Sequence, residues 1–320
     1  MNMISKLKDS VISYCIVAAL ILCAWILIIM RIRLSGDTTA FEFDDTKTHA
    51  IQAYMHVYTN GLALNADVNQ NDTAPYPTDS GLLWLVNGDN PLGSSFTPSG
   101  LVTHQGVRLH PSAYIAYNQM LTTMRAYSIH DLHLLSAYRP YDYQQKLFSA
   151  KVSKLMSQGL SADESETLAA KTLQRPGFSE HQTGLALDLT VSGQLTEAFA
   201  ETKAGQWLAV NSHRFGFIIR YPQAKTEITE IIYEPWHLRY VGVPHASIMY
   251  ENNLTLEEYS KFIEAGVYLH WENDSSRAFY LVMYSHGWPN EIPQGLVDIS
   301  SDRMGDGGNY IITVRRVWCG

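Results

Sequence analysis

The stretch Ser179 to Thr190, SEHQTGLALDLT, constrains this chain most. Alternation from Gly184 to Leu189 puts Leu185, Leu187 and Leu189 on one face of a strand and Gly184, Ala186 and Asp188 on the other. The leucine face reads as core. On the opposite face two very small residues lead to a carboxylate, which leaves room above the sheet for an ion and a substrate chain. His181 precedes Gly184 and can fold back over that face, so one loop and one strand supply two candidate metal ligands.

Some fifty positions later Ile231 to Val241 alternates again, with Trp236, Leu238 and Tyr240 on one face and His237 and Arg239 on the other. Pro235 cannot donate to a ladder, so a bulge or edge position is expected there, which brings Glu234 round to the side of His237. His181, Asp188 and His237 make three ligands. A hydrolytic zinc site needs that number, a fourth position open to water, and a carboxylate outside the ligand set to take the water's proton. Glu234 is the candidate base. Taken singly, a histidine among the twelve in the chain is more often a core or surface residue, and an Asp ending a strand is more often a turn or cap. The ordinary reading weakens sharply when H-x6-D and E-x-W-H must both be accidents.

SEHQTGLALDL and YEPWHLRYVG resemble the S-x-H-x-x-G-x-A-x-D and E-x-W-H-x-R-Y patterns of the VanY-type D-alanyl-D-alanine carboxypeptidases, zinc peptidases of the bacterial cell wall. The resemblance runs from about Leu82 to Gly266 and includes SAYRPYDYQ, similar to the family's S-x-Y-R-x-x-x-x-Q. It implies that Arg139 forks onto the substrate's terminal carboxylate, with Gln144 and Ser179 helping to hold the terminal residue. It also implies removal of D-Ala from the D-Ala-D-Ala end of peptidoglycan stem peptides. L,D-carboxypeptidase activity on tetrapeptide stems and a non-catalytic zinc-bearing wall-binding module are the rival readings. Glu230 stands where the family more often carries Gly, so the turn beside it is expected to differ in shape.

The fold class expected is α+β: a mainly antiparallel sheet with flanking helices and a zinc site on one face. Short apolar Leu82 to Asn87 reads as a strand, Pro111 to Tyr127 as a helix, Leu132 to Ala137 as a strand and Tyr141 to Met156 as a helix. A capping box at Ser161 opens a further helix to about Leu173. Glu201 to Arg214 reads as a helix before the strand Gly216 to Arg220, with His213 in a structural role. Val243 to Glu251 is helical, and Thr255 opens a second capping box. The tail adds β-like Ala278 to Tyr284 and Asn309 to Val317, with Asp302 to Gly308 as a hairpin turn rather than a calcium loop.

Between Ser10 and Met30 there is no charge, and a helix of that length is roughly 30 Å long, enough for a bilayer core. The flank Arg31-Ile32-Arg33-Leu34 does not resemble a small-x-small cleavage site, so an uncleaved single-pass anchor is expected. Lys6 and Lys8 before it nearly balance Arg31 and Arg33 after it; the resemblance implies an extracytoplasmic catalytic domain at the cell membrane, since the substrate lies outside. The expected division is residues 1–34 anchor, 35–79 stalk, 80–266 zinc carboxypeptidase domain and 267–320 small β-like appendage. Cys15 and Cys23 fall in the apolar segment and Cys319 near the end, so imidazole and carboxylate must hold any metal. A net charge of -8 with no Lys/Arg block argues against nucleic acid as a partner.

Overall fold

The computed structural model describes residues 81–264, 267–271, 278–286, 298–304 and 309–317. The expected anchor, the stalk and all three cysteines lie outside the described residues, among which no helix is long and apolar enough to cross a membrane. The architecture is α+β.

A small antiparallel hairpin, β1 (Val102–His104) and β2 (Val107–Leu109), precedes α1 (Pro111–Ala126). Pro111 opens that helix without forfeiting a needed N–H, and the His110 ring accepts the backbone N–H of Ser112 at 3.2 Å. Ala113, Ala116, Tyr117, Met120 and Met124 recur at helical spacing and are all buried, which seats α1 on the sheet.

That sheet has four antiparallel strands: β3 (His133–Ser136), β4 (Ala186–Thr190), β5 (Phe217–Ile219) and β6 (His237–Tyr240), in the order β3-β4-β6-β5. The two motif strands are therefore the central pair. Leu187, Leu189, Trp236 and Leu238 join the core beneath it, as their alternation predicts.

Helices α2 (Tyr141–Ser157) and α3 (Ala162–Ala170) follow β3. The Ser161 capping box is present, with the Ser161 N–H donating to Glu164 Oε2 at 2.9 Å, and α3 ends at Ala170 rather than Leu173. The single helix expected over Glu201 to Arg214 is instead α4 (Lys203–Asn211) between two 3-10 turns, Glu197–Glu201 and Ser212–Phe215. Thr202 interrupts it by capping α4, accepting the Gly205 N–H at 3.0 Å.

The short helix α5 (Thr226–Thr229) ends on Glu230 at φ 59. Glu230 thus holds the left-handed conformation that glycine adopts without cost. Beyond β6 come α6 (Val243–Glu251) and α7 (Leu256–Glu264); the second capping box is present, the Thr255 N–H donating to Glu258 Oε2 at 2.9 Å.

Leu82 to Asn87 is not a strand. Leu83 and Val86 are buried and its other apolar residues half-buried, but the carbonyls of Leu82 and Trp84 accept from the Arg239 guanidinium at 3.0 and 2.9 Å instead of from a ladder. Asn87 closes a tight turn, its Oδ1 accepting from the backbone of Asp89 and Asn90.

The tail is a second antiparallel sheet, β7 (Val267–Trp271), β8 (Ala278–His286), β9 (Asp298–Met304) and β10 (Asn309–Val317), ordered β7-β8-β10-β9. Asp302, Arg303 and Met304, read from sequence as part of a turn, belong to β9, where the ladder to β10 overrides their polarity. Val282 and Ile311 lie in one apolar cluster with Leu83, Ile248, Met249, Tyr259 and Ile263.

Candidate metal centre and active site

Asp188 and His237 are direct cross-strand partners on β4 and β6. His181 reaches them from the 3-10 turn Glu180–Thr183, which ends on Gly184 at φ 75 and turns the chain into β4. A side chain at Gly184 would strike Leu101 Cδ2 at 2.8 Å, and the Gly184 carbonyl accepts the His110 N–H at 2.9 Å. The room left by the missing Cβ at Gly184 is therefore taken up by Leu101 and the His110 backbone. Ala186, the other small residue, faces Arg239 across the ladder.

His181 Nε2 lies 3.2 Å from Asp188 Oδ2 and His237 Nδ1 lies 3.1 Å from Asp188 Oδ1. One ligand atom from each of the three residues falls within 4.8 Å of the others, and all three residues are buried. His181 Nδ1 is 2.6 Å from the Ala137 carbonyl, which can only accept, so the proton sits on Nδ1 and the lone pair on Nε2. That Nε2 has no hydrogen-bond partner and faces a carboxylate oxygen, so two acceptors confront each other in a buried site. A cation between them resolves the conflict. Two imidazoles and one carboxylate, with further coordination open, are the donor set of a hydrolytic zinc site, and the residues fit that metal.

The charge states that the protein groups set on one another agree in part. Burial, reinforced by Arg139, presses His181 down to about 4, so it is neutral near pH 7. Burial would raise Asp188, yet His181 and His237 hold it well below the usual carboxylate range. Burial disfavours a charged His237, but Asp188 and Glu180 outweigh it and push the imidazole up to about 9. A metal must displace that proton.

Glu234, Pro235, Trp236 and His237 form a tight turn, the His237 N–H donating to the Glu234 carbonyl at 3.0 Å. Pro235 occupies a turn position that its fixed φ favours, rather than the expected bulge or edge. The turn leaves Glu234 Oε2 at 3.6 Å from His237 Nδ1, beside the three candidate ligands. Burial raises the Glu234 carboxyl to about 7, against the lowering influence of His237. A carboxyl titrating near neutrality can both take and return a proton.

Arg139 is anchored by its own N–H to the His181 carbonyl at 3.0 Å, and its Nη1 lies 3.6 Å from Asp188 Oδ2. Its Nε is buried without an acceptor. Gln144, in the first turn of α2, donates Nε2 to the Gln174 carbonyl at 2.6 Å and leaves Oε1 buried without a partner. Ser179 is buried at the head of the 3-10 turn and makes no capping bond. His213 stands apart, its ring stacked on Tyr250 at 3.9 Å.

A charged network behind His237 was not singled out by its spacing. Glu180 Oε1 accepts from Arg220 Nε at 2.7 Å and lies 2.8 Å from Arg239 Nη1, an ion pair whose angle falls outside hydrogen-bond geometry. Arg220 also forks onto Glu257 of α7 through two bonds, at 2.9 and 2.5 Å. Burial alone would raise the Glu180 carboxyl; Arg220 and Arg239 hold it far below the usual carboxylate range. Tyr221 packs its ring 4.9 Å from that of His237. The only signal in the sequence was Arg239 on the same strand face as His237.

The profile of the VanY D-alanyl-D-alanine carboxypeptidase family matches residues 106–243. A D-alanyl-D-alanine carboxypeptidase of Enterococcus faecalis is 34% identical over 201 residues, covering 62% of this chain and 74% of the relative. A Bacillus subtilis relative is 38% identical over 191 residues, 56% of this chain, and the chain spans 66% of that protein's length. Among solved structures, VanYB in complex with D-alanine-D-alanine superposes with a TM-score of 0.51 at 35% identity, covering 56% of this chain and 97% of its own. A mutant of VanY from the VanB-type resistance cassette in complex with Zn(II) matches equally, at 0.51 and 35%, with 56% of this chain and 98% of that one covered. On motifs, site geometry and these likenesses together, the chain belongs to the VanY family of D-alanyl-D-alanine carboxypeptidases.

Proposed function

We propose that the protein is a zinc-dependent D,D-carboxypeptidase that removes the terminal D-Ala from D-Ala-D-Ala peptidoglycan stem peptides. The observation that carries this reading is the convergence of His181, Asp188 and His237, with Glu234 and Arg139 beside them. The VanYB structure with bound D-alanine-D-alanine supports the substrate, and its zinc-bound relative supports the metal.

Zinc, when bound, supplies Lewis-acid polarisation of the scissile carbonyl and makes water more acidic. His181 presents Nε2 and His237 presents Nδ1 to it, with Asp188 between them. Glu234 takes the proton of the attacking water and delivers it to the leaving nitrogen, which a carboxyl near neutral pKa can do in both directions. Arg139 pairs with the substrate's terminal carboxylate, the acceptor that its buried Nε lacks. Gln144 Oε1 and Ser179 are further groups for the terminal residue.

In the same proposal Ser10 to Met30 anchors the chain in the cell membrane and residues 80–266 act outside it, with 267–320 as a β appendage. The uncharged apolar run and an extracytoplasmic substrate support that placement. Protease accessibility of the tail in intact cells tests it.

Amino-acid release from synthetic stem pentapeptide and tetrapeptide by the full-length chain in detergent, with and without a chelator, tests the activity. The expected result is chelator-sensitive D-Ala release from the pentapeptide. Preference for the tetrapeptide replaces the specificity with L,D cleavage, and no release with zinc bound replaces the enzyme with a binding module.

A further inference from the structure

Behind the ligand set, two buried polar atoms face one another without partners: Glu180 Oε2 and His237 Nε2, 3.8 Å apart. Glu180 does not belong to the group of candidate ligands. Its other oxygen is held by Arg220 and Arg239, so the carboxylate is clamped with one oxygen aimed at the back of the His237 ring.

We propose that Glu180 is a positioning residue for His237, accepting its Nε2–H and so reserving the Nδ1 lone pair for the metal; this rests on the zinc reading of the site. The two histidine ligands then use opposite tautomers. His181 carries its proton on Nδ1, fixed by the Ala137 carbonyl, and binds through Nε2. His237 does the reverse, since its Nδ1 is the atom 3.1 Å from Asp188. A second carboxylate behind a ligating imidazole fixes ring orientation and raises ligand basicity.

The clamp draws on parts of the chain outside the family match at 106–243. Arg220 is shared with Glu257 on α7, and Arg239 donates to the carbonyls of Leu82 and Trp84. Two arginines and two glutamates balance within the network, so Glu180 can be buried as an anion without leaving an unpaired charge. The segment before β1 and the helix before the tail sheet thereby brace a metal ligand that neither touches.

The test compares zinc affinity of the full-length chain and of Glu180→Gln by chelator competition, together with imidazole spectra of both after selective 15N-histidine labelling. In the zinc-loaded parent, His237 is expected as the Nε2–H tautomer with a slowly exchanging ring proton. In Glu180→Gln, zinc affinity is expected to fall about ten- to a hundredfold. The His237 ring proton then exchanges faster, while the Nδ1–H of His181 stays in place. Unchanged affinity and ring exchange in the folded variant overturn the proposal. If the variant does not fold, the parent spectrum decides, and an Nδ1–H tautomer at zinc-loaded His237 overturns it. A parent chain that takes up no zinc brings down the zinc reading itself, and the proposal with it.

Discussion

Glu234 Oε2 lies 3.6 Å from His237 Nδ1, across a turn whose two central residues are Pro235 and Trp236. The carboxylate therefore stays beside the candidate metal position without being one of the three residues grouped there. Glu234→Ala is expected to keep stoichiometric zinc and to lose about 10²- to 10⁴-fold in kcat. Metal analysis and D-Ala release on the same sample check both halves, and retained turnover removes Glu234 from proton transfer.

Arg139→Lys keeps the charge and loses the planar fork. Replacing a charge-assisted pair of hydrogen bonds with a single point contact is expected to cost about 1.5–3 kcal/mol, or roughly ten- to 150-fold in kcat/KM. The loss should appear with a free C-terminal carboxylate and largely vanish with a carboxyl-amidated peptide. An equal loss on both substrates would mean that Arg139 acts elsewhere.

Glu230→Gly relieves a left-handed backbone at φ 59 on an exposed residue. About 1 kcal/mol of stabilisation is expected, a rise of about 2–4 °C in Tm for a domain of this size. Calorimetry of the two proteins measures it, with activity unchanged.

Burial raises the Glu258 carboxyl, but the Thr255 backbone and Lys225 outweigh it and hold it below its ordinary value of 4.5. A depressed folded pKa gives stability that is present above that value and lost as pH falls through the folded pKa. Glu258→Gln is therefore expected to cost no more than about 1 kcal/mol at pH 7, since the pair with Lys225 is partly exposed. The gap between the two proteins should narrow as the pH falls from 4.5 through the folded pKa below it. Urea melts of both proteins over a pH series from 7 downward test the sign.

The grouping of the candidate ligands was legible because alternation fixes faces: Asp188 and His237 share one face, and the leucines opposite them fill the core. The position of Arg139 beside Asp188, too, could be read from its motif. Glu180 could not, because its partners Arg220 and Arg239 lie 40 and 59 positions further along the chain, and no local period joins them to it. Leu82 to Asn87 misled in the opposite sense. Its apolar content signalled burial correctly, but burial without a ladder is not a strand, and its hydrogen-bond partner was a side chain on β6. β9 escaped because DISSDRM carries no apolar alternation; its pairing comes from β10.

The direct pairing of Asp188 with His237 makes the proposed metal centre a gauge of strand alignment. Sliding β4 past β6 by one residue would send one of the two ligands to the core side, because successive side chains point to opposite faces. A one-residue slip thus offers zinc no binding-competent state to stabilise during folding. It adds RT ln(1 + [Zn]/Kd) only to chains whose central strands have met in register, and so it acts as a proofreader of sheet assembly as well as a catalyst's ion.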